Sequence, residues 1–238
     1  MMIKLSPRLQ IIYDMVPQAE TVADVGCDHG YLTISLLESN KAKKAIAMDV
    51  NRGPLQSAEI NVRQANLSDK VEFRLSDGLA GLQPGEANVI CICGMGGALI
   101  KRIIKANLSI AQRAQILILE PQSEYKALRE FLIANDFKFI DEDLCTEEGK
   151  IYPIMKLSWS DQKVKLTEAQ LEYGPVILEK KPDLLKTLLD KNKNEYTTII
   201  EKLNKIPSKD VTSQIQNKKA QLLNELDLIQ QVERDWRR

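Results

Sequence analysis

The apolar positions of this chain follow two regimes. Over roughly the first 160 residues, short apolar runs alternate with stretches whose apolar residues recur every three or four positions; beyond about Leu166 the runs vanish and only the helical spacing remains. Runs at 21–25, 44–50, 71–75, 88–93 and 115–119 predict strands, and the run 88–93 is apolar enough for a strand buried on both faces. The stretches 31–39, 55–65, 98–106 and 124–135 predict helices; Leu32, Leu36 and Leu37 share one face of the first, and Gly53-Pro54 opens the second. A helix before all of them opens at Ser6-Pro7, an N-cap hydroxyl followed by proline at the first helical position. It carries Leu9, Ile12 and Val16 at helical spacing and stops at Pro17. Two last runs, 137–142 and 152–159, predict a strand hairpin with an acidic loop around Glu147-Glu148.

Strands alternating with helices imply an α/β fold with a doubly wound parallel sheet. A closing hairpin after the fifth strand–helix unit is unusual for dinucleotide dehydrogenases. It is the pattern of S-adenosylmethionine-dependent methyltransferases, whose last strand inserts antiparallel. The expected architecture is a Rossmann-like class I methyltransferase sheet over residues 1–160 and a helical extension over residues 161–238. In the extension, Leu185, Leu189, Asn192, Tyr196, Ile199 and Leu203 follow alternating steps of four and three. Pro207-Ser208 interrupts, and Val211, Ile215, Leu222, Leu226 and Ile229 resume the seam. An antiparallel coiled-coil hairpin would cover it, since neither helix alone is stable with the seam exposed.

Hydrophobic residues make up 44% of the chain, enough for a core and too many for disorder. No apolar stretch approaches the roughly 20 residues of a membrane span. Met1-Met2-Ile3-Lys4-Leu5-Ser6-Pro7 is too short and too soon broken for a signal peptide. The cysteines, Cys27, Cys91, Cys93 and Cys145, form no Cys-x-x-Cys pair and read as buried, reduced thiols of a cytoplasmic protein. A single histidine argues against zinc. Basic and acidic side chains number 33 each; residues 1–160 carry 18 and 20, residues 161–238 carry 15 and 13. A nucleic-acid partner would therefore be met by local clusters rather than by net charge. Candidate phosphate contacts are Arg8, Lys101-Arg102, Lys105, Lys180-Lys181, Lys218-Lys219 and Arg237-Arg238, although any one of them taken alone reads as an ordinary solvated charge instead.

Chemistry concentrates in Ala23-Asp24-Val25-Gly26-Cys27-Asp28-His29-Gly30-Tyr31. An apolar run ends there in a glycine-punctuated turn and leads into a helix, and about 20 residues beyond the turn a second run ends in Asp49, the spacing of a nucleotide-type cofactor site. Gly26 and Gly30 let the backbone approach a ligand closely, and Asp49 can accept hydrogen bonds from two ribose hydroxyls. Asp28, in the middle of the turn, repels phosphate and suits the sulfonium and ammonium of S-adenosylmethionine. His29 either lines the cofactor or acceptor pocket or bonds the turn's own backbone. Asp77-Gly78, at the end of the third strand, can accept from an adenine amino group or merely form an Asp-Gly turn. Gly94-Met95-Gly96-Gly97 follows the fourth strand, where methyltransferases meet their acceptor. Its glycines expose backbone groups and leave room for a planar base, or else they pack a helix start on the sheet. Glu120-Pro121-Gln122, at the neighbouring strand end, could line the acceptor side.

The run Asp24-Val25-Gly26-Cys27-Asp28-His29-Gly30-Tyr31-Leu32, with Ser76-Asp77-Gly78-Leu79, Gly94-Met95-Gly96-Gly97 and Leu119-Glu120-Pro121-Gln122, resembles the bacterial tRNA adenine-22 N1-methyltransferase family. The resemblance spans most of the chain. It implies a class I methyltransferase domain with a coiled-coil domain, S-adenosylmethionine as cofactor, tRNA as partner, and methylation of an adenine N1 in the D-arm region. It also implies cofactor roles for Asp24, Gly26, His29, Asp49, Asp77 and Gly94, to which the turn glycines Gly30 and Gly78 are added here. Adenine N1 carries an in-plane lone pair, so no general base is required and the site must chiefly hold donor and acceptor in line. Gly94 and Met95 are placed on the acceptor side, where carbonyls of the turn 93–95 can accept from the adenine amino group; Asp28 or His29 could later take a proton. A monomer without membrane or metal partners is expected. Two other readings stay open: a methyltransferase acting on a small molecule or another RNA, and a non-catalytic RNA-binding protein that retains the fold.

Overall fold

Seven strands, β1 (Ala19–Val25), β2 (Ala42–Asp49), β3 (Val71–Leu75), β4 (Val89–Met95), β5 (Ile116–Pro121), β6 (Phe137–Glu147) and β7 (Lys150–Trp159), form one sheet. This computed structural model describes residues 4–207 and 211–236. The strand order is β3-β2-β1-β4-β5-β7-β6. The first five strands pair in parallel, and β7 enters antiparallel between β5 and β6, as the closing hairpin requires. The order reverses between β1 and β4, which makes their carboxyl ends the switch point where open α/β sheets bind ligands.

Helices α1 (Pro7–Met15), α2 (Tyr31–Glu38) and α3 (Arg52–Gln64) neighbour one another, while α4 (Gly97–Ala106) neighbours α5 (Leu108–Arg113) and α6 (Tyr125–Ala134). Ser6 caps α1 by accepting the Leu9 N–H at 3.4 Å, with Pro7 at the first position. Burial explains the continuous apolar runs: Val89, Ile90, Cys91 and Ile92 of β4 are all inside, between helix layers.

Two local expectations need correction. The acidic loop around Glu147-Glu148 is instead a two-residue turn: β6 runs on to Glu147, which pairs with Lys150, and Glu148 and Gly149 both take positive φ (51° and 73°). That is the backbone a tight hairpin of this twist demands. Helix α5 was also not foreseen, because six residues are too few for a periodic signal, although Ile110 and Ala111 bury its inner side.

The chain divides into two compact units, Met1–Lys165 and Leu166–Arg238. The second holds α7 (Glu168–Tyr173), α8 (Pro175–Lys180), α9 (Asp183–Asn204) and α10 (Ser213–Trp236). Helices α9 and α10 pack antiparallel: Lys193 on α9 reaches Glu233, near the far end of α10, at 3.0 Å. The expected seam residues Leu185, Leu189, Leu222 and Ile229 are buried; Ile200 is buried where Ile199 was expected to lead. Thr167 and Gln170 form a capping box for α7, a pair the sequence reading passed over. The calls on Met1-Met2-Ile3, Ser208 and Arg237-Arg238 lie outside the described residues. Among the described residues no helix is long and apolar enough to cross a membrane.

Arg129 of α6 and Glu142 of β6 form a wholly buried ion pair at 3.1 Å. Removing one partner strands the other charge in the interior. Glu142→Ala should lower the unfolding free energy by about 3–5 kcal/mol in urea titrations; a loss below about 1 kcal/mol would show that the pair does not hold α6 to the sheet.

Candidate active site

Beyond Val25 the β1 chain turns at Gly26 (φ 78°). The N–H groups of Gly26 and Cys27 both donate to the Met48 carbonyl of β2, at 2.8 and 3.0 Å. Asp28 (φ 48°) and Gly30 (φ 72°) bring the backbone round, and the Gly30 N–H closes on the Cys27 carbonyl at 2.7 Å. The N-cap of α2 is Gly30, which has no side chain to cap the helix start. Asp24, just below the turn, is buried and accepts the Thr33 hydroxyl at 2.8 Å. Burial pushes its carboxyl up to about 6, against the pull of Thr33 and with help from the charges of Asp28 and Asp49.

Asp49 ends β2 and accepts the Asn51 N–H at 2.8 Å. The exposed Val50 follows it, and the exposed Leu75 ends β3 next door. The Asp77 side chain faces solvent, 3.8 Å from Arg102, while Gly78 (φ 57°) is packed so closely on Ile103 that a Cβ would lie 2.7 Å from it. His29 and Tyr31 stack at 5.5 Å on the outer side of the first turn, both exposed, and His29 Nε2 lies 3.7 Å from Asp28. The rim thus brings together Asp24, Gly26, Asp28, His29 and Gly30 from one loop with Asp49, Asp77 and Gly78 from the next two strand ends.

Across the switch point stands the glycine loop. Gly94 (φ 76°) sits at a bulge of β4, between Cys93 and Met95, and has no register partner on β5. Its N–H donates to Glu120 Oε2 at 2.5 Å. The same oxygen takes Arg8 Nη1 at 3.0 Å, and Arg8 Nε donates to Glu147 at 2.7 Å. The Met95 carbonyl accepts the Gln122 N–H at 2.8 Å, and the Gly97 N–H donates to the Ser123 carbonyl at 3.1 Å. Glu124 caps the Ala98 N–H at 2.9 Å. Gly97 must be glycine, because a Cβ there would collide with the Ser123 carbonyl. The Met95 methyl lies over Gly26, where a Cβ would strike it. The first turn and the glycine loop therefore meet directly.

Two expectations change here. Arg8 is held by two carboxylates and is not a free phosphate contact. The Met95 carbonyl is already engaged, so of the 93–95 turn only Cys93 and Gly94 are left as candidate acceptors for a base. Sequence reasoning missed Val50, Tyr31 and the Arg8–Glu120 brace. The first two had a signal in their place beside strand ends; the brace joins residues 112 positions apart and had none.

A family model described as tRNA (adenine(22)-N(1))-methyltransferase matches residues 22–231. The Bacillus subtilis tRNA (adenine(22)-N(1))-methyltransferase is 34% identical over 175 residues, which is 74% of each chain. The solved structure of the B. subtilis m1A22 tRNA methyltransferase TrmK superposes with a TM-score of 0.86 at 30% identity, covering 96% of this chain and 98% of that one. M. capricolum TrmK, solved with S-adenosyl-homocysteine, superposes at 0.78 with 27% identity, covering 94% and 99%.

The Asp24 carboxyl titrates at about 6 in the fold against 3.8 when free, so its share of stability is fully present below pH 3.8 and lost as pH rises through 6. Asp24→Asn should therefore stabilise the ligand-free protein by about 2–3 kcal/mol at pH 8, a gain that disappears near pH 4. Thermal or urea unfolding across that range measures it; a gain that does not vary with pH would contradict the assignment.

Proposed function

Because this chain belongs to the tRNA (adenine(22)-N(1))-methyltransferase family, we propose that the rim between β1 and β4 is its methyl-transfer site. The protein is an S-adenosylmethionine-dependent methyltransferase acting on N1 of adenine 22 in tRNA. The observation that carries the site assignment is the meeting of a carboxylate-lined glycine turn with a second glycine loop at the one place where strand order reverses.

The residues present suit this cofactor. Asp24 is a buried carboxyl whose partners are the hydroxyl and backbone N–H of Thr33 and no cation, so a cation nearby would restore its charge. Asp28 at mid-turn opposes a pyrophosphate. Asp49 offers a carboxylate to the ribose, and Val50 and Leu75 offer apolar faces to a purine beside Asp77. Gly26 and Gly30 add no side chain of their own to the turn, where the Met95 methyl and Ala58 pack close.

When bound, S-adenosylmethionine supplies a methyl on a sulfonium, which adenine N1 takes with its in-plane lone pair while the S–C electrons return to sulfur. The chain's own contribution is alignment and charge. The loop 94–97, fastened by Gln122, Ser123 and Glu124, would give a planar base a fixed wall, in a slot bounded on the turn side by the Met95 methyl over Gly26. The base must leave any pairing to present N1, and the exposed His29–Tyr31 stack offers an aromatic surface on the same turn for it or a neighbour. Methylation makes the ring cationic, and the carboxylates on both sides of the slot favour that charge. No group need remove a proton before attack; Asp28 or His29 is placed to take one afterwards. The exposed Lys105 and Lys218, with the half-buried Lys101 and Lys219, remain candidate phosphate contacts. A cytoplasmic location, alongside the substrate, belongs to the same proposal.

Nucleoside mass spectrometry of tRNA incubated with protein and S-adenosylmethionine should give 1-methyladenosine at position 22; transfer to small molecules alone would overturn the reading. Within the site, Asp49→Ala should raise KM for S-adenosylmethionine about 10–100-fold and change kcat at saturating cofactor by less than about threefold, as loss of a charged hydrogen bond does. Steady-state kinetics with varied cofactor checks this, and an unchanged KM removes Asp49 from the site.

A further inference from the structure

We propose that Glu120, held in place by Arg8, is a positioning residue for methyl transfer: its charged carboxylate grips the Gly94 N–H and so aims and polarises the Cys93 carbonyl towards the amino group of the target adenine. The inference rests on the assignment of the glycine loop to the acceptor side, and it names the group that makes the loop work.

The geometry begins with the bulge. Gly94 lacks a register partner on β5, so the sheet ladder does not fix the Cys93–Gly94 peptide. Glu120 does, through the 2.5 Å bond from the Gly94 N–H. The peptide is trans, so the Cys93 carbonyl points opposite to that N–H. It therefore faces away from the Glu120 carboxylate. The Met95 carbonyl, the other obvious acceptor, already serves Gln122.

Charge is the second strand of the inference. A neutral amide could accept the Gly94 N–H equally well, yet the chain keeps a carboxylate with no exposed surface there and supplies Arg8 to sustain it. The Oε1 atom is buried without a hydrogen-bond partner among the described residues, a costly arrangement for a group that only braces a loop. A charged acceptor on the N–H end of a peptide makes its carbonyl end more negative, because bonds in a chain polarise one another. The adenine amino group becomes a stronger donor as N1 acquires its methyl, so this carbonyl binds the transition state better than the ground state.

The groups facing Glu120 are Arg8 from α1, Glu147 and Cys145 from β6, Cys93 from β4 and Tyr125 from α6. Burial pushes Glu120 above the ordinary carboxylate range, while Arg8 and the Gly94 N–H pull it back. Burial also pushes Cys145 to about 11 and Tyr125 to about 12, and raises the Cys93 thiol well above its ordinary value. Within this cluster, acidification therefore reaches Glu120 first.

The test compares wild type with Glu120→Gln on tRNA at saturating S-adenosylmethionine. At pH 8, kcat should fall about tenfold in the variant, with the cofactor Kd unchanged. The wild-type-to-variant ratio of kcat should then shrink towards one as pH falls, because protonated Glu120 resembles glutamine. Asp24 titrates in both proteins and cancels from the ratio. Equal kcat at pH 8, or a ratio that stays constant with pH, would overturn the proposal. Should Glu120→Gln not fold, Arg8→Met keeps it testable: without its cation Glu120 protonates more readily, so the acid limb of kcat must move to higher pH, and an unmoved limb overturns it. A wild-type protein that leaves adenine 22 unmethylated would refute the functional reading itself, a separate result.

Discussion

The parallel pairing of β1 with β4 runs from Val22 opposite Val89 to Val25 opposite Ile92 and then stops, and the site depends on that stop. The flanking pairs carry on further: β2 adds Asp49 opposite Leu75, and β4 rejoins β5 at Met95 opposite Pro121. A sheet whose two central strands part from each other before the pairs beside them end has a notch in its rim. Gly26 and Cys93 are the first residues freed by it, and both sides turn away there because the crossovers on the two halves run in opposite directions. The notch is thus a product of topology before any catalytic residue is considered. The glycines keep it open, and Met95 is the side chain that reaches across.

Electrostatics then divide the notch. On the β1 side, Asp24, Asp28 and Asp49 gather around one turn, and their mutual repulsion contributes to the raised Asp24 carboxyl. On the β5 side, two carboxylates share one guanidinium, which leaves Glu120, Glu147 and Arg8 with a net negative charge. Both halves favour cations, in a chain whose overall formal charge is zero. A sulfonium donor and an adenine that becomes cationic on methylation are matched to such a cleft; a dinucleotide pyrophosphate is not. Polyanionic RNA must find its basic contacts elsewhere on the surface.

What the sequence disclosed follows the range of each interaction. Strands and long helices were legible because period and burial are local: the apolar run of β4, the Ser6-Pro7 start of α1 and the seam of α9 and α10 all stand in a window of a few residues. The cofactor turn was legible because glycine spacing and a strand-end carboxylate are local too. The two-residue turn at Glu148-Gly149 was hidden by acidic residues that read as loop, although Glu147 and Lys150 pair across it. Arg8 looked like a basic residue free for phosphate because its partners lie on β5 and β6, far along the chain. Helices α5, α7 and α8, six residues each, are too short to carry a period and are held by packing and caps instead.

Three buried carboxylates in the first unit show how the fold distributes its electrostatic cost. Glu142, on β6, is matched by the equally buried guanidinium of Arg129. Glu120, beneath the glycine loop, has half of a shared guanidinium, one backbone N–H and an oxygen left without a partner among the described residues. Asp24, under the cofactor turn, has the hydroxyl and backbone N–H of Thr33 and no guanidinium at all. Compensation by the protein declines as the carboxylate approaches the notch. A carboxylate that only held elements together would be most stable with the fullest compensation, and Glu142 follows that rule. The two at the notch depart from it, and a ligand cation would complete them. Incomplete satisfaction at a rim otherwise closed by hydrogen bonds is what a site shaped around an incoming charge requires, since interactions already made within the protein cannot strengthen as the reaction proceeds.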